Sequence, residues 1–218
     1  MKYLLLDISG IIYRAFFALS KDKFHRSDGF PTNAILGTIN ILKQLNKKFP
    51  DHIFISCRDS KRSELLRSQD INSYKQNRKS ADPILGKQFE HIYKCIEAMN
   101  ITSVKCVGYE ADDIIATLAY TLHRDNEVVI ASSDKDMNQT LVYNNVKIYN
   151  PARKEFFDSD DCFEKFKVTE KDDDMPDILE GFPENQCEGA AFRRFHQVQS
   201  NILEVFYCVF VDVSTLDW

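Results

Sequence analysis

The stretch GYEADDIIATLA, from Gly108 to Ala119, places three carboxylates within four positions at the start of an apolar helical pattern. The acids are Glu110, Asp112 and Asp113. A helix N-terminus stabilises acids through its unpaired N–H groups and its dipole. Three acids are more than this effect requires, because like charges held close together oppose one another's ionisation. The stretch alone therefore leaves two interpretations open: an ordinary charged helix start, or a site that binds a cation.

Short apolar runs alternate with helical patterns along the first two thirds of the chain. The runs predict strands at 3–6, 53–55, 104–107, 128–131 and 146–149, and the last of these is expected to be the final strand. Residues 32–48, residues 84–99 and the stretch after Gly108 carry apolar side chains at helical spacing. Apolar, β-branched runs with intervening helices are typical of a mainly parallel sheet covered on both faces. We therefore predict an α/β fold with a mainly parallel central sheet flanked by helices.

Carboxylates follow several predicted strands at the point where each strand ends. Asp7 ends the first strand, Asp59 follows the second, and Asp134 and Asp136 follow the fourth. The carboxyl ends of parallel strands meet at one edge of an open α/β sheet, where binding sites form. Acids gathered there would repel one another unless a cation lay between them, and oxygen ligands favour Mg²⁺ or Mn²⁺ over zinc. A pair of such ions is suited to the hydrolysis of a phosphodiester.

Residues 59–80 form a polar, basic segment that could hold a phosphate. Its basic residues are Lys61, Arg62, Arg67, Lys75, Arg78 and Lys79. Lys75 and Arg78 would share one face of a helix, and Tyr74 beside them could stack on a base. The net charge of the whole chain is −5, but a local basic segment can still carry a contact with nucleic acid. Solubilising surface charge is the alternative interpretation, which we keep for Lys79.

The composition argues against several other classes of protein. The chain of 218 residues is 44% hydrophobic and 28% charged, which is ordinary for one or two globular domains. It contains no apolar run of the ~20 residues that span a membrane, and its first residues lack the features of a signal peptide. The six cysteines have no C-x-x-C spacing, which argues against a zinc site. We expect a monomeric cytoplasmic protein with reduced thiols and no membrane partner.

Four motifs in order along the chain resemble those of the structure-specific 5′-nucleases. They are LLLDISGIIYRAFFAL at 4–19, FISCRDSKRSELLRSQDINSYKQNR at 54–78, GYEADDIIATLA at 108–119 and IASSDKDMNQ at 130–139. This family includes the 5′→3′ exonuclease domain of DNA polymerase I, phage 5′-exonucleases and ribonuclease H, and flap endonucleases. Each motif alone is weak, whereas the ordered set is specific.

The resemblance implies a PIN-like nuclease core at 1–167, with a basic arch at about 60–83 and two Mg²⁺ sites. By the family pattern, the first ion would be surrounded by Asp7, Asp59, Glu110, Asp112 and Asp134. Asp134 and Asp136 would reach the second ion, with Asp113 in support. Lys75 and Arg78 would hold the scissile phosphate and, with Asp134, act in catalysis. Arg14, Tyr74 and Arg67 would contact the substrate.

The last 51 residues, 168–218, depart from the family pattern and are expected to form a degenerate helix-3-turn-helix and a tail. Asp174 and Asp177 keep the D-x-x-D spacing of two further metal ligands. Glu184 and Gln186 stand where the family's turn has glycines. In the family, this turn offers backbone carbonyls to a monovalent cation, and side chains there hinder close approach. The resemblance therefore supports a K⁺ site only weakly.

These observations favour a Mg²⁺-dependent 5′-nuclease acting near 5′ ends in replication or repair. Its partner would be DNA with a 5′ flap, nick or single-strand/duplex junction, or an RNA–DNA hybrid. One alternative is a catalytically impaired protein that binds branched nucleic acid, which the divergent C-terminal residues motivate. Another is a PIN-type single-strand ribonuclease, against which the long basic segment argues. The sequence DISG lacks the D-x-D that a phosphatase would use after its first strand.

Overall fold

The structure, a computed structural model, describes residues 1–20, 23–65, 82–159 and 161. Its strands are β1 (Lys2–Asp7), β2 (Ile53–Arg58), β3 (Thr102–Lys105), β4 (Glu127–Ala131), β5 (Val146–Asn150) and β6 (Glu155–Phe157). Its α-helices are α1 (Ile8–Ala18), α2 (Asn33–Lys48), α3 (Pro83–Ala98) and α4 (Ala111–Leu122). Two 3₁₀ segments, Arg62–Glu64 and Lys135–Val142, follow β2 and β4.

The six strands form one sheet in the order β3-β2-β1-β4-β5-β6. The first five are mutually parallel, and β6 pairs antiparallel with β5. The predicted α/β fold with a mainly parallel sheet is confirmed. The prediction that residues 146–149 form the final strand is wrong, because the chain turns back and adds β6. The sequence signal for β6 was weak, because the strand has only three residues. The turn before it also lacks a glycine at its left-handed position, which Lys154 occupies at φ 61°.

Helices cover both faces of the sheet, as the apolar runs predict. Tyr3 and Leu5 of β1 face one core, which α4 closes, while Leu4 and Leu6 face the other. The helices α1, α2 and α3 close the second core. Successive strand side chains point to opposite faces, so a strand buried on both sides needs a continuous apolar run such as YLLL. No helix in the described part of the chain is long and apolar enough to cross a membrane.

A buried polar network joins the three helices of the second layer. Gln88 of α3 accepts hydrogen bonds from the backbone N–H groups of Ala34 (3.0 Å) and Ile35 (3.3 Å) at the start of α2. Its amide also donates to Asn33 Oδ1 at 3.0 Å, and Asn33 Nδ2 donates to the Phe16 carbonyl of α1 at 2.8 Å. The network pairs N–H groups that a helix start leaves open, so it holds α2 against both neighbours.

Candidate active site

The strand order reverses between β1 and β4, and the acids predicted to form a site lie around that point. From β1 the chain proceeds to β2 and β3 on one side, and β4 and β5 then follow on the other side of β1. Such a reversal opens a crevice outside the carboxyl ends of the two strands. Asp7 ends β1 and Asp134 follows β4, so the crevice lies between them. Asp59 directly follows β2, which pairs with β1 on its other side.

Asp7 is held rigidly at this edge. Its side chain is only 8% exposed and caps α1 by accepting from Gly10 N at 2.9 Å. Burial raises the pKa of Asp7, the hydrogen bonds from Gly10 and Ser132 oppose this shift, and the charges of Asp59 and Asp134 add to it. A Cβ atom added to Gly10 would lie 2.9 Å from Asp7 Cγ and closer still to Oδ2. Glycine therefore allows α1 to begin directly over the carboxylate.

Ser132 links the two sides of the crevice. Its hydroxyl donates to Asp7 Oδ2 at 2.9 Å and accepts from the backbone N–H of Asp134 at 3.0 Å. Asp134 is exposed and caps the following 3₁₀ segment, with its Oδ1 accepting from Asp136 N at 3.0 Å. One buried hydroxyl thus sets the position of Asp7 relative to Asp134.

Two of the three carboxylates of the GYEADD stretch, Glu110 and Asp113, form a capping box at the start of α4. Asp113 is buried, and its Oδ2 accepts from Glu110 N at 3.0 Å as one half of a capping box. Asp59 Oδ1 accepts from Ala111 N at 2.7 Å, which ties the start of α4 to the end of β2. Asp113 therefore serves the helix start, and its supporting role at a metal stays a prediction.

Asp112 shows how closely the acids lie together. Its pKa is raised to about 8, first by burial and then by the charges of Asp7, Asp134, Asp59 and Glu110. A carboxyl group on an open surface would not be perturbed by four others. These charges come from four separate segments, so the carboxylates lie near one another at this edge of the sheet, and their binding of a metal stays a prediction.

The charge and chemistry of this cluster fit a hard divalent cation. In the described part of the chain, Asp7, Asp59, Asp112 and Asp134 form no ion pair with a Lys or Arg side chain. The donors are carboxylate oxygens, which Mg²⁺ and Mn²⁺ prefer. Among residues 1–20, 23–65, 82–159 and 161, however, no group of three or more His, Cys, Asp and Glu side chains is arranged to hold an ion as it stands. The carboxylates would have to close around the ion.

Several predicted site residues lie outside the described residues. These are Arg67, Tyr74, Lys75, Arg78, Asp174 and Asp177. The same holds for residues 66–81 of the arch and for the whole region 168–218, so the domain division also stays a prediction. Arg14 lies exposed on α1, and its contact with substrate stays a prediction.

Two residues at the site were not predicted from the sequence. Gly10 lies three positions after Asp7, where an N-cap acid and a small residue could have indicated a close approach. Ser132 lies two positions before Asp134, but its bond to Asp7 spans 125 residues of sequence. A pattern within a single segment does not contain that contact.

Comparison with known proteins agrees with the fold and the motifs. A family model described as 5′-3′ exonuclease, N-terminal resolvase-like domain, matches residues 2–167. DNA polymerase I of Pseudomonas aeruginosa is 37% identical over 165 residues, which cover 75% of this chain and 18% of that protein. The 5′-3′ exonuclease of Aquifex aeolicus is 36% identical over 176 residues, which cover 80% of this chain and 59% of that protein.

A solved structure shares the fold. The structure of T5 5′-exonuclease with bound zinc ions has a TM-score of 0.54 at 17% identity, covering 77% of this chain and 62% of that one. The present chain thus spans less than two thirds of each of these three relatives. The family model nevertheless covers well over half of the chain and contains all four motifs. The resemblance is therefore confirmed, and the chain belongs to the family of the 5′-3′ exonuclease N-terminal resolvase-like domain.

Proposed function

We propose that this chain is a divalent-metal-dependent, structure-specific 5′-nuclease that hydrolyses phosphodiester bonds of DNA or RNA–DNA near 5′ ends. The observation that carries the proposal is the set of five mutually repelling carboxylates at the β1/β4 crevice. Without a cation, such a cluster opposes folding, and charge that destabilises a fold is a common mark of a functional site. Family membership supports the same reaction class.

The residues that would hold the metal are Asp7, Asp59, Glu110, Asp112 and Asp134. A bound Mg²⁺ or Mn²⁺ would lower the pKa of a coordinated water and stabilise charge on the leaving oxygen. The protein's own task is to orient the ligands before substrate arrives. Gly10 and Ser132 hold the two oxygens of Asp7, and the start of α4 holds Asp59. Asp134 and Asp136, with Asp113 in support, are proposed to reach a second ion, to which Asp174 and Asp177 would add two ligands.

The proposed partner is DNA with a 5′ flap, nick or single-strand/duplex junction. The names of the relatives, DNA polymerase I and 5′-3′ exonuclease, support DNA over single-stranded RNA. Lys75 and Arg78 are proposed to grip the scissile phosphate, and Arg14, Arg67 and Tyr74 to contact the neighbouring nucleotides. Arginine and lysine suit this task because charge-assisted bonds to phosphate are strong.

Cleavage of a 5′-labelled flap duplex tests the proposal. The full chain is assayed in Mg²⁺, in Mn²⁺ and in EDTA, with Asp134→Asn as the site variant and Asp125→Asn, an exposed acid after α4, as the control. We expect metal-dependent cutting near the junction that falls on the order of 100-fold or more in Asp134→Asn, as for loss of a group that stabilises transition-state charge. The control should cut normally.

Two results would contradict the proposal in different ways. If the wild-type chain bound the flap tightly but cut nothing in either metal, it would be a non-catalytic binder of branched nucleic acid. If Asp134→Asn cut as fast as the wild type, the reaction would not take place at the β1/β4 crevice.

A further inference from the structure

We propose that Arg58 binds a phosphate of the nucleic acid at the acid cluster, which makes it a substrate-binding residue supplied by the sheet itself. The inference rests on the proposed function, and it adds a phosphate contact to those expected from the basic arch. Arg58 is the last residue of β2 and directly precedes Asp59.

Arg58 is held in place by an aromatic ring. The centre of its guanidinium lies 3.5 Å from the centroid of the Tyr93 ring of α3, which is stacking distance. Tyr93 packs beside Phe89 (ring centroids 5.8 Å apart), and Phe89 meets Tyr13 of α1 at 6.0 Å. Tyr13 is 39% exposed, so this row of rings extends from Arg58 to the surface. A stacked guanidinium loses little further freedom when it binds an anion.

The guanidinium is half-buried but has no carboxylate to neutralise it. Within the described ranges, no Asp or Glu lies within ion-pair distance of Arg58. Its side chain hydrogen-bonds to the neutral hydroxyl of Tyr93, while its Nε is buried without a hydrogen-bond partner. By contrast, Lys105, which lies opposite Arg58 on β3, pairs with Glu64 at 3.1 Å. Burying a charge or an N–H donor without a partner costs free energy. An external anion bound at the two Nη groups would neutralise the charge of the guanidinium.

The position of Arg58 in the strand points to a phosphate as that anion. The contacts of Arg58 and Asp59 place these two neighbours on opposite sides of the sheet edge. Asp59 bonds to the start of α4, whereas Arg58 stacks on α3. A nucleic-acid strand that crosses the edge would meet carboxylates on the α4 side and a guanidinium on the α3 side. The planar fork of Arg matches two oxygens of one phosphate.

Salt-dependent binding separates this role from a purely structural one. The full chain is titrated with a fluorescein-labelled 5′-flap duplex in Ca²⁺, at a series of KCl concentrations, with Arg58→Met and Arg58→Lys as variants. Met keeps an unbranched side chain over Tyr93 and removes the charge. Lys2→Ala is the matched control, because it also removes one cation but lies five residues before Asp7, at the far end of β1, about 17 Å away.

Loss of one phosphate contact reduces the magnitude of the slope of log K against log[salt] by about 0.9. The affinity that the variant gains between 1 M and 0.1 M salt is then about eightfold smaller than the gain of the wild type. We expect this change in Arg58→Met and none in Lys2→Ala. Arg58→Lys should keep most of the slope but bind a few-fold more weakly, because it loses the stacked fork. If Arg58 acted only on the metal-binding carboxylates, Arg58→Met would change the affinity for Mg²⁺ and leave the slope of flap binding at its wild-type value.

An unchanged slope in a folded Arg58→Met protein would overturn the inference, as would an equal loss of slope in Lys2→Ala or no flap binding by the wild type. If Arg58→Met does not fold, Arg58→Lys decides, and wild-type affinity in that variant would refute the contact. Failure of the proposed nuclease activity is recognised separately, because a wild-type chain that cuts nothing in Mg²⁺ can still show the Arg58-dependent slope.

Discussion

Replacing Asp112 with asparagine should stabilise the metal-free protein, even though it damages the site. The side chain is partly buried, and its carboxylate is opposed by Asp7, Asp134, Asp59 and Glu110. Asparagine has nearly the same shape and no charge. The variant therefore removes the repulsion without leaving a cavity, and it also removes a proposed ligand of the divalent ion.

The magnitude follows from the pKa of Asp112, which burial and the neighbouring carboxylates raise from the ordinary 3.8 of an aspartate to about 8. At about 1.36 kcal/mol per pKa unit, this shift destabilises the folded wild type by about 4 kcal/mol at pH 7. Small movements and solvent cations relieve part of such repulsion, so we expect about 2 kcal/mol of stabilisation in Asp112→Asn. Because the folded pKa is raised, the penalty is absent below about pH 4, grows between pH 4 and 8, and is complete above pH 8.

Urea unfolding in EDTA at pH 5 and pH 8 measures this effect, with Asp125→Asn as an exposed control. The advantage of Asp112→Asn should be larger at pH 8. Adding Mg²⁺ should stabilise the wild type more than the variant, because a ligand that binds only the folded state shifts the equilibrium towards it. If Asp112→Asn were less stable than the wild type at pH 8 in EDTA, the carboxylate would be stabilised by its surroundings and the reasoning would be refuted.

Two further substitutions test how Asp7 is positioned. Gly10→Ala places a methyl group against the Asp7 carboxylate, and flap cleavage should fall about 10- to 100-fold, as for loss of groups that orient metal ligands. Gly86 is a helical glycine with no atom within 4 Å of an added methyl group, so the control variant Gly86→Ala should keep full activity and gain about 0.5–1 kcal/mol in the free energy of unfolding. Equal behaviour of the two variants would disprove the steric argument. Ser132→Ala removes the hydroxyl that links Asp7 to the Asp134 backbone, so cleavage should again fall about 10-fold or more while urea unfolding still shows a folded protein. The exposed Ser133→Ala is its control, and wild-type rates in Ser132→Ala would show that the link is dispensable.

Most elements could be predicted because their signals are local. The run YLLL predicts a strand buried on two faces, and residues 32–48 predict a helix that the structure places at Asn33–Lys48. The strand expected at 104–107 lies instead at Thr102–Lys105, because pairing with β2 sets its register and brings the polar residues Thr102 and Ser103 into the strand. The short antiparallel β6 was missed for a similar reason, since β5 stabilises it and its own three residues do not.

The candidate site was predicted in part. The acids after β1, β2 and β4 could be placed at one edge, because the carboxyl ends of parallel strands coincide whatever the strand order. The separate task of Asp113 could not be predicted, since only the folded helix start shows that its oxygen accepts from Glu110 N.

The sequence by itself determined an α/β fold, the group of acids that meet at the carboxyl edge, and the motifs of the family. These features depend on strand and helix periodicity and on spacing within short segments. Such patterns can be recognised without knowing which segments pack together in the fold. The tertiary structure alone decided that β1 and β4 lie side by side, that Ser132 reaches Asp7, and that Arg58 stacks on Tyr93. Each of these contacts joins residues 35 or more positions apart, and such pairs are selected by the packing of the whole core and not by the sequence around either member.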